Sequence, residues 1–283
     1  MCDMQYSRNS KQKKIAIIND FSGYGRCSIT VALPIISALK VQCCPVPTAI
    51  FSNHTGFSSF HMNDYTDYMV PYYEEWKKLG LRFNAIATGF LGSSKQIEIV
   101  SDFIKRFKDE KTTVLIDPVM GDYGKLYPTY GEDLAKRMVE LVCHADILMP
   151  NLTEACILTG KEYESDHDER SLSGMCEELC SKGPKKIVIS GIEKDGKFGN
   201  YMYQKDQGGK LIESCKIGES RSGTGDIFSA IIAADAVNGV DFERSIRHAA
   251  DFIVKTIKKT IEYGTKTEDG ICFEEYLQDI GRF

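Results

Sequence analysis

Short, uninterrupted apolar runs recur along this chain, and most are followed by a longer segment with apolar residues at helical spacing. The first run is Ile15-Ala16-Ile17-Ile18, and the segment 28–40 after it has the helical pattern. A continuous apolar run is typical of a strand that is buried on both faces. Strands that alternate with helices pair in parallel through right-handed crossovers. The pattern therefore predicts an α/β fold with a mostly parallel central sheet and helices on both faces.

The same alternation assigns the remaining elements. Further strands are predicted at 41–51, 85–88, 113–117, 146–149 and 186–190. Further helices are predicted at 65–79, 94–107, 132–143, 151–159, 170–181, 225–237 and 242–262. Segments 201–203 and 210–215, with a glycine-containing turn between them, indicate an antiparallel hairpin at one edge of the sheet. Since no linker divides the chain, we expect a disordered tail at 1–13 and a single domain at 14–283.

The charge balance and the cysteines limit what this protein binds and where it works. With 35 basic and 40 acidic residues the net charge is −5, and no basic block is present. We therefore expect no nucleic-acid partner and no membrane-surface partner. Residues 1–14 lack the apolar core of a signal peptide, and no apolar run reaches the roughly 18 residues of a membrane span. The 10 cysteines lack Cys-x-x-Cys spacing, which favours reduced thiols in a cytoplasmic protein.

A glycine-rich motif, Ser222-Gly223-Thr224-Gly225-Asp226, directly precedes a predicted helix. Glycine lets the backbone turn sharply and approach a ligand closely. The free N–H groups and the partial positive charge at the start of a helix suit a phosphate. Asp226 is then a carboxylate beside an anion site, which suggests a catalytic group. The alternative is an ordinary loop in which Asp226 caps the helix.

Polar residues also follow several of the predicted strands, at the edge where ligands bind in such sheets. Asp117 and Asp122 are two acids in one loop, and carboxylate oxygens suit Mg²⁺; the alternative is a turn with solvated acids. Asn151 and Glu154 have the spacing of a helix capping box. Alternatively, Glu154 holds Mg²⁺ through water while Asn151 contacts a phosphate.

The loop Ser52-Asn53-His54-Thr55 follows the second strand and offers polar groups to an aromatic heterocycle, although a lone histidine is more often structural. Tyr24 and Tyr127 either contact a ring or a phosphate, or belong to the packing. A dinucleotide-binding fold is disfavoured, because Ser28 stands at the third glycine position and the second strand lacks a ribose-binding acid. The chain also contains neither a P-loop nor the protein-kinase motifs.

Four motifs together resemble, in order and spacing, the pyridoxal kinases of the ribokinase-like superfamily. They are Phe51-Ser52-Asn53-His54-Thr55, Asp117-Pro118-Val119-Met120-Gly121-Asp122, Pro150-Asn151-Leu152-Thr153-Glu154 and Gly223-Thr224-Gly225-Asp226. The resemblance extends from about Ile15 to Tyr263. It implies a three-layer ribokinase-like fold with an antiparallel edge hairpin. It also implies ATP-dependent phosphorylation of the 5′-hydroxymethyl group of pyridoxal, pyridoxamine or pyridoxine, as in vitamin B6 salvage.

The resemblance also implies roles for individual residues. Asp226 would be the base that takes the hydroxyl proton, beside an anion hole formed by the N–H groups of Gly223, Thr224 and Gly225. The implied ATP-binding residues are Asp117, Tyr127, Asn151, Glu154, Ser190, Ser222, Gly223, Thr224 and Gly225. The implied magnesium ligands are Asp117, Asp122 and Glu154. The implied vitamin-binding residues are Asp20, Tyr24, Ser52, His54, Thr55 and Asp226.

Some features remain open within this resemblance. Many pyridoxal kinases have a serine after a glutamine where this chain has Asn19-Asp20, so the preferred vitamer is undetermined. ATP and Mg²⁺ are implied, a requirement for K⁺ is left open, and a homodimer is expected. The alternatives are a hydroxymethylpyrimidine kinase of thiamine synthesis and a non-catalytic relative that binds the vitamin.

Overall fold

The computed structural model describes residues 11–164, 167–194 and 196–282. Ten of the residues predicted as a disordered tail, 1–10, lie outside this description. The strands are β1 Lys14–Ser22, β2 Gln42–Phe51, β3 Met62–Asp64, β4 Ala85–Thr88, β5 Thr113–Ile116, β6 Gly121–Asp122, β7 Lys125–Leu126, β8 Ile147–Leu148, β9 Lys186–Lys194, β10 Lys197–Gln204 and β11 Gly208–Cys215. The helices are α1 Ser28–Ala38, α2 Thr66–Lys78, α3 Ser94–Phe107, α4 Glu132–Arg137, α5 Val139–Val142, α6 Leu152–Thr159, α7 Glu169–Ser181, α8 Thr224–Asn238 and α9 Phe242–Glu262.

Nine of the described strands form one sheet, in the order β11-β10-β9-β8-β5-β4-β1-β2-β3. The six strands from β9 to β2 in that order pair in parallel. The strands at the two edges are antiparallel, with β3 on one side and the β10–β11 hairpin on the other. This arrangement confirms the predicted α/β fold and the predicted edge hairpin. Because the central strands run in parallel, their carboxyl ends meet at one edge, where ligands bind in such sheets.

Two hydrophobic cores lie on opposite faces of the sheet. One is built with α1, α8 and α9 and includes Ile271 and Phe273 from the end of the chain. The other is built with the helices from α2 to α7. Helices therefore cover both faces, which is why the central strands are apolar on both sides. No helix in the described ranges is both long enough and apolar enough to cross a membrane.

The structure differs from the prediction at several element boundaries. The strand β1 continues to Ser22, beyond the apolar run that ends at Ile18, because its polar end still pairs with β2. The short strand β3 and the β6–β7 pair were not predicted, since each has too few residues to show a pattern. The predicted helix 132–143 is divided at Met138, whose N–H contacts the carbonyls of both Leu134 and Ala135.

Candidate active site

A cavity of about 810 Å³ opens at the carboxyl ends of the parallel strands. Most of the residues singled out from the sequence line this cavity. They are Asp20, His54, Thr55, Asp117, Asp122, Tyr127, Asn151, Glu154, Ser190, Ser222, Gly223, Thr224, Gly225 and Asp226. A volume of this size suits a small-molecule site. The fold therefore brings loops that are far apart in the sequence to one place.

The start of α8 provides a set of free backbone N–H groups on the cavity wall. The first bond of the helix runs from the N–H of Ile227 to the carbonyl of Gly223, over 2.9 Å. The N–H groups of residues 223–226 precede this bond and have no acceptor within the helix. Together with the helix dipole they form an environment that stabilises an anion. Gly223 adopts φ +85°, and a Cβ there would collide with the carbonyl oxygen of Arg26, so only glycine fits.

Asp226 is the third residue of α8, and its carboxylate is held from the β1 side. The side-chain amide of Asn19 donates to Asp226 Oδ1 over 3.3 Å, and the N–H of Ser28 also donates to this carboxylate. The surrounding protein raises the pKa of Asp226 above its usual range, chiefly by burial. A carboxylate with a raised pKa is a stronger base once it is ionised. The predicted alternative, a side-chain helix cap, is not what α8 shows, since its N-cap is Gly223.

Asn19 was not identified as a site residue from the sequence. Its Oδ1 accepts from the N–H groups of Asp20 at 2.9 Å and Phe90 at 2.8 Å. These two donors fix the orientation of the amide, because only Nδ2 is then left to face Asp226. No motif marks this role. The available signal was the position of Asn19 directly after the apolar run Ile15-Ala16-Ile17-Ile18.

Asp20 lines the cavity and is only 5% exposed. Its carboxylate accepts from the hydroxyl of Ser22 at 2.8 Å and from that of Ser28 at 2.5 Å. Burial raises the pKa of Asp20 to about 6, and the nearby charge of Asp226 acts in the same direction. Ser28 therefore contacts both acids, with its hydroxyl on Asp20 and its N–H on Asp226.

Further acids lie along the wall beyond Asp226. Burial raises the pKa of Asp117 to about 8, with an additional contribution from the negative charge of Asp226. The pKa of Asp122 is also raised, again mainly by burial. Among the described residues no three His, Cys, Asp or Glu side chains gather closely enough to form a metal cage. Asp117, Asp122 and Glu154 all line the cavity.

Glu154 and Asn151 form the capping box that their spacing predicted. The Glu154 carboxylate is 3% exposed and accepts from the N–H of Met120 at 3.0 Å and from that of Asn151 at 2.8 Å. The Asn151 amide in turn donates to the carbonyl of Gly121 over 2.7 Å. Together they tie the loop of Asp122 to the start of α6. Burial and the charge of Asp117 raise the pKa of Glu154 well above its usual range.

Only some of the polar residues in the loop after β2 line the cavity. His54 Nδ1 accepts from the N–H of Gly56 at 3.1 Å, so the ring proton lies on Nε2, which donates to the carbonyl of Glu268 over 2.7 Å. Ser52 does not line the cavity; its hydroxyl contacts Asn53 and accepts from the N–H of His61. Tyr24 is also outside the lining, because its hydroxyl donates to Asp269 and its ring is largely exposed.

A C-terminal segment, defined here as residues 265–274, forms a wall that the sequence did not predict. Its Thr267 and Glu268 line the cavity. It accepts hydrogen bonds from Arg221 at the carbonyls of Thr265 and Lys266, over 2.9 and 3.0 Å. Arg26 pairs with Glu274 at 2.7 Å and donates to the carbonyl of Asp269 at 3.1 Å. The segment thus joins the loops before α1, after β2 and before α8, through backbone carbonyls that no sequence motif reveals.

An apolar part of the wall was also missed. The side chains that form it come from α8, α9 and the segment after β11. They are Ile217, Phe228, Ile253, Val254 and Ile257. Within their helices they repeat at ordinary core spacing, so their role at a cavity could not be separated from packing.

Comparison with known proteins identifies what the chain is similar to. The family model described as phosphomethylpyrimidine kinase matches residues 29–270. The pyridoxal kinase PdxY of Leifsonia xyli subsp. xyli is 26% identical, over 89% of this chain and 91% of that protein. The pyridoxal kinase of Arabidopsis thaliana is 30% identical, over 76% of this chain and 70% of that protein. A Bacteroides thetaiotaomicron protein with the provisional assignment phosphomethylpyrimidine kinase, crystallised with pyridoxal, is 37% identical, with a TM-score of 0.92 and coverage of 95% and 96%.

Proposed function

The chain belongs to the phosphomethylpyrimidine kinase family and, by its curated relatives, to the pyridoxal kinases of the ribokinase-like superfamily; from this premise we propose how it works. It is an ATP-dependent kinase that phosphorylates the 5′-hydroxymethyl group of a B6 vitamer. The observation that carries this proposal is the Asp226 carboxylate beside the free N–H groups at the start of α8. A base and an anion site at one point are what transfer of a phosphoryl group to a hydroxyl requires.

The chemical step uses residues that the fold holds in place. The substrate hydroxyl lies within hydrogen-bond reach of Asp226, which takes its proton as the oxygen bonds to the γ-phosphorus. The bond from that phosphorus to the bridging oxygen breaks, and ADP leaves with the electron pair. The N–H groups of residues 223–226 stabilise the negative charge on the transferring group. Asn19 and Ser28 keep the carboxylate aimed at the hydroxyl.

ATP is oriented with its phosphates toward α8 and its base toward the apolar wall. The side chains of Ile217, Ile253 and Ile257 offer a surface that suits an adenine ring. Polar residues lie along the cavity and are proposed to contact the nucleotide. They are Tyr127, Asn151, Ser190 and Ser222. Both polar atoms of the Asn151 amide form hydrogen bonds within the protein. We therefore assign Asn151 to holding the Asp122 loop, in addition to its proposed contact with the nucleotide.

The acidic side chains that line the cavity suit a magnesium ion. Asp117 and Asp122 line the cavity, and burial raises the pKa of each, so a cation would relieve unfavourable charge. Mg²⁺ usually takes one or two carboxylates and completes its shell with water and phosphate oxygens. When bound, it supplies charge neutralisation on the phosphates. We assign Asp117 and Asp122 as its candidate ligands and limit Glu154 to a contact through water, because both of its oxygens accept backbone N–H groups.

The vitamin is proposed to lie beside Asp20, His54 and Thr55, which line the cavity together with Asp226. The 37% identical relative crystallised with pyridoxal supports a B6 vitamer here. Tyr24 and Ser52 act through the loops that carry these residues, since neither lines the cavity. A homodimer and a cytoplasmic location remain predictions, the latter supported by the unpaired cysteines of the described residues.

A coupled assay for ADP production tests the proposal. Purified protein with ATP and Mg²⁺ is given pyridoxal, pyridoxamine, pyridoxine and hydroxymethylpyrimidine in parallel, and kcat/KM is measured for each. We expect turnover of at least one vitamer with a kcat/KM above that of the pyrimidine. The pyrimidine is the second candidate because the matching family is described as phosphomethylpyrimidine kinase. A marked preference for it would overturn the assignment, and tight vitamer binding without turnover would indicate a non-catalytic relative. Omitting K⁺ in a parallel series tests the monovalent ion.

A further inference from the structure

One carboxylate on the cavity wall, that of Asp20, is buried and lacks a positive partner among the described residues. Asp20 is 5% exposed, and its two oxygens accept hydrogen bonds from the neutral hydroxyls of Ser22 and Ser28. Within the described ranges, no lysine, arginine or histidine side chain pairs with it. Burying an ionised carboxylate without a countercharge is unfavourable. Serine hydroxyls solvate the charge but do not neutralise it.

A second carboxylate, that of Asp226, adds to the negative electrostatic potential around Asp20. Asp226 lies close enough to raise the pKa of Asp20, which burial brings to about 6. At neutral pH Asp20 is therefore mostly ionised, and its charge is present when substrate binds. A ligand that brings a positive charge to this point is favoured electrostatically over a neutral ligand of the same shape.

Ser28 lies next to both acids. Its hydroxyl donates to Asp20 and its backbone N–H donates to Asp226. A substrate whose hydroxyl meets Asp226 therefore places the neighbouring parts of its ring near Asp20. In a B6 vitamer, the part on one side of the hydroxymethyl group is the substituent of the adjacent ring carbon. On the other side is the ring nitrogen, which is separated from the hydroxymethyl-bearing carbon by one ring carbon. The substituent is a protonated amine in pyridoxamine, and the ring nitrogen carries a proton in all vitamers when it is in the pyridinium form.

We propose that Asp20 is the counter-ion for a positively charged nitrogen of the substrate and thereby determines which hydroxymethyl compounds this kinase prefers. The proposal rests on the proposed function and deepens it. It assigns Asp20 to substrate selection and leaves proton removal to Asp226.

The test compares the wild type with Asp20→Asn, which keeps the shape and removes the charge. We expect kcat/KM to fall about tenfold or more for the cationic substrate, as for loss of a charged hydrogen bond. A fall confined to pyridoxamine identifies the exocyclic amine, and an equal fall for pyridoxamine, pyridoxal and pyridoxine identifies the ring nitrogen. Either result supports the proposal. Unchanged kcat/KM for all three vitamers would overturn it.

Ser22→Ala is the matched control, because it removes one hydrogen bond from the same carboxylate and leaves the charge. For each vitamer, it should lower kcat/KM much less than Asp20→Asn does. A fall in kcat/KM as large as that of Asp20→Asn, for the same vitamers, would mean that packing determines the preference, and would refute the role of the charge. Asp20→Ser is a second neutral variant if the asparagine does not fold, and the KM for ATP reports on the rest of the site. A wild type that phosphorylates no vitamer is the separate outcome that refutes the proposed function itself.

Discussion

The side-chain amide of Asn19 donates to the carboxylate of Asp226 over 3.3 Å, although 207 positions separate the two residues in the chain. The amide cannot turn away, because its oxygen accepts from the N–H groups of Asp20 and Phe90. The end of the first strand therefore orients the proposed base at the start of α8. Position and protonation of that base depend on a residue outside every recognised motif.

Asn19→Ala should lower kcat by a factor of about 10–100, since a hydrogen bond to a charged group contributes roughly 1.5–3 kcal/mol. The KM for ATP should change little, because Asn19 contacts the base and not the anion site. Steady-state kinetics with a vitamer and ATP measure this. The control is Asn84→Ala: Asn84 accepts from the N–H of Lys14 at the opposite end of β1, far from the cavity. Equal losses of kcat in both variants would contradict the positioning role.

Asp226→Asn should lower kcat by a factor of about 10²–10⁴, the usual contribution of a general base. Nucleotide binding should persist, because the N–H groups at the start of α8 do not depend on the carboxylate. Since burial raises the pKa of Asp226, wild-type kcat should rise with pH across a range above the usual aspartate region. That rise should disappear in the variant. A variant that keeps near-normal kcat would remove Asp226 from the role of base.

Gly223→Ala and Gly225→Ala should behave differently in thermal unfolding. Gly223 has φ +85° and leaves no space for a Cβ against the carbonyl of Arg26. Alanine there should therefore lower the free energy of unfolding by about 1–3 kcal/mol. Gly225 has open space at the Cβ position, so the same change should leave the melting temperature nearly unaffected. If phosphate approaches Gly225 closely, its alanine variant should raise the KM for ATP without destabilisation. Equal melting temperatures for the two variants would contradict the role of Gly223.

In the absence of ligand, the stability of Asp20→Asn relative to the wild type should increase as the pH rises. Burial raises the pKa of Asp20 from 3.8 to about 6, so the folded state holds the proton more tightly than the unfolded state. Below about pH 4 this pKa difference contributes up to about 3 kcal/mol to the free energy of unfolding. That contribution is lost as the pH rises through about 6. Asparagine cannot lose a proton, so this loss is absent in the variant.

Urea unfolding at several pH values between about 4 and 7 measures this difference. The free energy of unfolding of Asp20→Asn minus that of the wild type should increase with pH. Asp251→Asn, at an exposed position of α9, controls for the removal of one carboxylate. A difference that does not vary with pH would show that Asp20 is not ionised in an unfavourable site.

Arg26→Ala should raise the KM for the vitamer more than the KM for ATP. Arg26 anchors the C-terminal segment through Glu274 and the carbonyl of Asp269, and its own carbonyl packs against Gly223. Arg26→Lys should recover part of the effect, because lysine keeps the charge but not the fork of the guanidinium. Tyr24→Phe, which removes one exposed hydrogen bond to Asp269, should have a much smaller effect. Equal KM changes for both substrates would indicate general destabilisation instead.

Local features of the site could be predicted from the sequence. The capping box of Asn151 and Glu154 needs only residues three apart, and the helix after Gly225 needs only its own periodicity, so both were found. The loop residues at the ends of β5 and β9 could also be placed, because a parallel sheet brings its carboxyl ends together. The roles of Ser52 and Tyr24 could not be predicted, since each depends on which neighbour forms a hydrogen bond with its hydroxyl group.

By itself the sequence determined the alternation of strands and helices, the turn before α8 and the presence of acids at the ligand-binding edge. These depend on side-chain periodicity and on glycine, which act over a few residues. Only the tertiary structure decided that Asn19 holds Asp226, that Ser28 joins Asp20 to it, and that the C-terminal segment closes the wall. Such contacts are hydrogen bonds between residues distant in the chain, and their partners exist only once strand register and helix packing have brought them within about 3 Å. The Gly-Thr-Gly-Asp motif marked the place that we propose for the reaction, while the fold supplied the contacts that keep its carboxylate oriented.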